Sequence, residues 1–70
     1  MNDDLIPLSK AIKQRRETLG VSQDTLAKDC GFDRTYISML ERGKRNPSYL
    51  NLVKLARGLK ISVSQLTKGF

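Results

Sequence analysis

The side chains with most chemistry to offer lie in one stretch, DRTYISMLERGKRNP, residues 33–47. At roughly 100° per residue, Ile37, Leu40 and Glu41 gather on one side of a short helix. Thr35, Ser38, Met39 and Arg42 point away from that side, and Arg34 stands at the N-terminal end. A solvated polar face would have this pattern, and so would a face that reads base edges. Arg can bind guanine with two hydrogen bonds; Thr, Ser or an apolar group such as Met can meet other edges or a thymine methyl. The N-terminal residues of a reading helix make most such contacts. That favours Arg34, Thr35 and Ser38, with Met39 on the same face.

The loop that follows, Arg42-Gly43-Lys44-Arg45-Asn46, lies where a duplex backbone would pass. Phosphate contacts place a protein on DNA without reading its sequence, and Arg42, Lys44, Arg45 and Asn46 suit that role. Gln23, further back, could contact phosphate from the start of a helix, or be an ordinary surface glutamine. Tyr36 could bond a phosphate or stack on a sugar; it could equally fill the crevice between helices.

These residues need a scaffold, and 70 residues allow one domain. A chain this short buries only about 60% of the surface its unfolded form exposes, which favours helices with local contacts. Hydrophobic residues at 39% and charged residues at 29% are the proportions of a globular protein. No apolar run approaches the roughly 20 residues that span a bilayer. The acidic start MNDDLIP lacks a signal-peptide pattern, so a cytoplasmic location is the default expectation. Residues 1–6 are expected to form a flexible tail. The single cysteine, Cys30, excludes an internal disulfide. It reads as a small buried side chain rather than a reactive thiol. With no histidine, the commonest general base and most zinc sites are missing. The chain is expected not to be an enzyme, with no catalytic residues, metal, cofactor or small-molecule ligand.

The formal net charge is +6, and all of it falls in the second half. Residues 1–32 balance five basic against five acidic groups; residues 33–70 set eight basic groups against Asp33 and Glu41 alone. That asymmetry suits an anionic partner.

Five helical patterns are separated by compact turns, and no segment reads as a strand. The first runs from about Pro7 to Leu19, with Leu8, Ile12 and Leu19 on one face and Gly20 as its stop. Arg15 falls in that apolar arc, with its stem expected to pack and its head to stay in water. The second starts at the N-cap Ser22 and buries Leu26, Ala27 and Cys30 before Gly31. The third starts at the N-cap Asp33 and runs to about Arg42. The fourth follows Ser48 and buries Leu52, Leu55, Ala56 and Leu59, with Leu50 and Val53 contributing in part. The fifth opens with Ser62-Val63-Ser64-Gln65, an S-x-x-Q capping box, anchored by Val63 and Leu66. Helices two and three, joined at Gly31, have the spacing of a helix-turn-helix.

With these elements placed, the chain resembles the helix-turn-helix domains of the Cro and lambda-type phage repressors, the XRE family. The resemblance rests on Leu8, Ile12, Arg16, Gly20-Val21-Ser22-Gln23, Leu26-Ala27, Gly31, Tyr36-Ile37-Ser38, Leu40-Glu41-Arg42-Gly43, Asn46-Pro47-Ser48, Leu52, Leu55-Ala56, Leu59, Val63 and Leu66. It covers about residues 8–66 and implies an all-α bundle of five short helices that binds double-stranded operator DNA as a homodimer. In the family an Arg late in helix one pairs with a Glu late in helix three, which implies a structural pair between Arg16 and Glu41. DRTYIS followed by ERGKRN more narrowly resembles the controller proteins of restriction–modification systems, and implies DNA contacts from Arg34, Thr35, Tyr36 and Arg45. Two positions depart from the pattern. Met39 fills a slot that varies freely, so the operator is not implied; Arg15 stands where an aliphatic residue is often found.

The leading expectation is therefore a dimeric, sequence-specific transcription regulator. Its dimer contact would come from Ile61, Val63, Leu66 and Phe70. An antitoxin of a toxin–antitoxin pair, a small phage repressor and a nonspecific binder of RNA or anionic membranes are the alternatives.

Overall fold

The computed structural model describes residues 3–68. A 3₁₀ turn over Asp3–Leu5 leads into α1 (Ile6–Leu19), followed by α2 (Gln23–Cys30), α3 (Arg34–Glu41), α4 (Tyr49–Leu59) and α5 (Val63–Leu66). There is no strand among the described residues. The tail expected over residues 1–6 is thus corrected for residues 3–6, which are helical. Pro7 falls in the first turn of α1, where a missing N–H breaks no helical bond. Leu5 and Ile6 are half-buried, which gives the extra turn something to hold.

The helix ends follow from local chemistry. Ser22 and Ser48 each accept a backbone N–H three residues on, from Thr25 at 3.1 Å and Asn51 at 3.2 Å. Ser62 and Gln65 form the full reciprocal capping box. Asp33 has the extended N-cap backbone, yet its carboxylate makes no cap hydrogen bond. Leu50 is 62% exposed and adds nothing to the core, contrary to expectation. At N2 of α4 it lies away from the stripe that carries Leu55 and Leu59.

The core comprises Leu8, Ile12, Leu26, Ala27, Cys30, Ile37, Leu40, Leu55, Ala56, Leu59 and Leu66. α1 packs against α3, α4 and α5; α2 packs against α3 and α4. Gly58 lets α2 and α4 approach closely. A Cβ placed there would run into Cys30 Sγ. Burial first, and Asp29 next, push the Cys30 thiol up to about 11, while the Gly58 backbone pulls the other way. Cys30 is a protonated packing group.

Two expectations change at the far end. The Arg15 head is not left to water alone. Its Nε donates to the Leu59 carbonyl at 2.9 Å, and Nη2 reaches the Lys60 carbonyl at 3.5 Å. A cation there satisfies carbonyls that the end of α4 leaves without helical partners. Lys60 itself is left-handed, with φ 60°, a conformation that costs a side-chain-bearing residue roughly 1–2 kcal/mol. Leu66 is 1% exposed: it is spent on this chain's own core, so its expected place in a dimer contact is corrected. Four-residue α5 has one fully buried position, and Leu66 fills it. Ile61 and Val63 are half-buried against the core, and Phe70 lies outside the described residues.

Candidate nucleic-acid interface

α3 carries the candidate reading face because its opposite face is fixed. Ile37 and Leu40 are 0% and 2% exposed, and Glu41 is anchored at the helix end. Arg16 Nε donates to Glu41 Oε2 at 2.6 Å and Arg16 Nη2 to Oε1 at 3.1 Å, a bidentate pair. Arg16 Nη1 reaches the Val21 carbonyl at 3.0 Å. The Glu41 carboxylate is 3% exposed and the Arg16 side chain 14%. The hydrogen bond to Glu41 is the main cause holding the Arg16 guanidinium above its usual pKa.

Gln23 joins the same carboxylate, donating from Nε2 to Glu41 Oε1 at 3.1 Å. Sequence reasoning placed Gln23 at a phosphate. The fold gives it an internal partner too, and one amide N–H remains for an outside acceptor. It also stands at the first helical position of α2, where backbone N–H groups have no helical partner.

On the outward side, Arg34, Thr35, Ser38 and Arg42 line one open groove. Arg34, Thr35 and Arg42 are exposed, whereas Ser38 and Met39 are half-buried. Arg42 Nε donates weakly to the Ser38 carbonyl at 3.3 Å, which lays its side chain back along the helix. The basic loop begins from a closed turn. Gly43, at φ 70°, donates to the Leu40 carbonyl at 3.1 Å, and Lys44 N–H reaches the Met39 carbonyl at 2.9 Å. This is the 6→1 and 5→2 pattern of a Schellman cap; it needs a left-handed residue where Gly43 stands. Lys44, Arg45 and Asn46 are exposed beyond it. Glu41 is neutralised by Arg16, so Arg34, Arg42, Lys44 and Arg45 leave this side strongly positive. Among the described residues, no three His, Cys, Asp or Glu side chains gather as a metal would need.

The Tyr36 ring is half-buried and packs in the crevice, a placement that still allows a backbone contact from its hydroxyl. Its ring meets Phe32 edge-on at 4.8 Å. Arg45 lies over it at 5.8 Å, and Asn51 Nδ2 donates to Oη at 2.9 Å. Asn51 was missed by sequence reasoning. It sits 15 positions from Tyr36, and no periodicity links the two.

A helix-turn-helix family profile matches residues 12–66. The control protein C.MunI of a Mycoplasma species is 43% identical over 67 residues, covering 94% of this chain and 90% of that protein. The crystal structure of the restriction-modification controller protein C.AhdI from Aeromonas hydrophila superposes with a TM-score of 0.89 at 40% identity. It covers 93% of this chain and 98% of that one. The wild-type restriction-modification controller protein C.Esp1396I gives 0.88 at 33% identity, covering 99% of this chain and 90% of its own.

Proposed function

Because this chain belongs to the helix-turn-helix family of transcription regulators, we propose that it reads a specific double-stranded DNA operator as a homodimer and controls a restriction–modification operon. One observation carries the reading: Arg34, Thr35, Ser38 and Arg42 line a single open groove on α3, whose other face is locked to the core. Arg34, Thr35, Ser38 and Met39 are assigned to base edges. Gln23, Tyr36, Arg42, Lys44, Arg45 and Asn46 are assigned to the phosphate backbone. The controller role is supported by the relatives' own description as controller proteins.

Selection of bound duplexes from a random DNA pool tests this directly. A recovered near-palindrome with half-sites about 34 Å apart is the expected result; a pool that stays random defeats it. On the recovered duplex, Arg34→Ala and Thr35→Ala should each relax one base position by roughly 1–3 kcal/mol. Lys44→Ala and Arg45→Ala should weaken all duplexes alike and lower the salt slope by about one. Competition titrations over a salt series separate the two classes.

Each dimer contact is assigned to the flank of α5, through Ile61, Val63 and Phe70. Sedimentation equilibrium should return twice the 7.9 kDa chain mass. A single-chain mass, both free and with saturating operator, rules the dimer out.

A further inference from the structure

The Tyr36 hydroxyl has one proton and it bonds to no protein group among the described residues. Its oxygen is already engaged by Asn51 Nδ2–H at 2.9 Å. The ring is held by Phe32 at 4.8 Å between centroids, with the Arg45 guanidinium 5.8 Å from its centroid. Asn51 is placed firmly as well. It is the third residue of α4, and its backbone N–H is tied to Ser48 Oγ.

We propose that Asn51 is a positioning residue for DNA binding: its amide N–H occupies the inner side of the Tyr36 oxygen and so commits the hydroxyl proton outward, to a phosphate oxygen beside Arg45. A phenol free to donate inward would offer DNA only its lone pairs, which a phosphate oxygen cannot use. The Asn51 amide removes that option, because an N–H facing the oxygen leaves no acceptor on that side. Asn51 need not touch DNA for this to work. The inference rests on the DNA-binding reading above.

The test is a double-mutant cycle on two probes, the duplex recovered by selection and a random duplex of equal length. Tyr36→Phe and Asn51→Ala should each weaken both probes by about three- to tenfold, the range for one hydrogen bond. The double variant should be no weaker than Tyr36→Phe alone. Asn51→Asp supplies a readout that a merely structural role would not move. A carboxylate at the third position of a helix is favoured by the dipole, so thermal stability should hold or rise. Yet the carboxylate accepts the phenol proton inward, and the Tyr36-dependent part of the affinity should vanish. Three results overturn the proposal: Asn51→Ala costing as much in the Tyr36→Phe background as in the parent, Asn51→Ala costing nothing, or Tyr36→Phe costing nothing. Parent protein that binds neither probe overturns the DNA-binding reading itself, and is distinct from all three.

Discussion

Replacing Glu41 with alanine is expected to remove about 3–5 kcal/mol of folding stability. A 70-residue domain holds roughly 4–10 kcal/mol in total, so this single change should leave the protein close to unfolding. The physical reason is the number of donors that converge on one carboxylate. Arg16 gives it two N–H groups and Gln23 a third, inside a site where the carboxylate is 3% exposed. Alanine leaves the guanidinium facing a void with its charge unanswered. The attraction within the pair is not what is lost. Both charges were costly to bury, and a shape-matched apolar pair can be as stable. Arg16→Met with Glu41→Leu should therefore recover more than half of the loss. Urea unfolding followed by circular dichroism measures both. A Glu41→Ala loss below about 1 kcal/mol, the range of an exposed pair, would show that the carboxylate is not holding the three helices together.

Gly58→Val should cost about 3 kcal/mol, the upper end of what overpacking a full core site does. The obstacle is Cys30, whose sulfur already fills the space where even a Cβ would go. Neither helix can retreat cheaply, because α2 and α4 share the core through Leu26, Leu55 and Leu59. Gly58→Ala is the milder form, and there the helix propensity of alanine offsets about 0.5–1 kcal/mol of the clash. Cys30→Ala removes the sulfur, so the pair Cys30→Ala with Gly58→Ala should be more stable than Gly58→Ala alone. Thermal melts of the four variants decide it. Strict additivity would mean that the sulfur is not what excludes the methyl.

How much of this was readable beforehand depends on how local each feature is. Ser22, Ser48 and Ser62 each bond a backbone N–H three residues away, so sequence spacing was enough to find them. Gly20 and Gly31 end α1 and α2 in left-handed conformations for similarly local reasons. Of the outward set that helical periodicity gives on α3, Thr35, Ser38 and Arg42 line the open groove and Met39 does not. Leu50 and residues 3–6 were misread locally, but the other misses turn on partners far along the chain. Arg15 reaches the end of α4, 44 positions away. Leu66 has the same composition cue whether it faces a partner copy or its own core. Gly58 was passed over because a glycine inside a helical run gives no sign of the neighbour it must admit. Tyr36 shows the boundary case. Its position on α3 was legible, but the choice between crevice and outer face turned on Phe32, Arg45 and Asn51 together.

Arg15 and Arg16 are adjacent, and they tie α1 to two different helices. One ties α1 to the last carbonyl of α4, just before α5; the other ties α1 to the last residue of α3. α1 thereby couples α3 to the corner between α4 and α5, the flank where the proposed second copy would join. In a dimer built there, these two ties in each subunit help set the distance and rotation between the two proposed reading faces. Adding one base pair between half-sites shifts the second groove by about 3.4 Å and turns it by about 35°. A body tied in this way has little give to follow that change. The protein would then measure the gap in its operator as strictly as it reads the letters on either side.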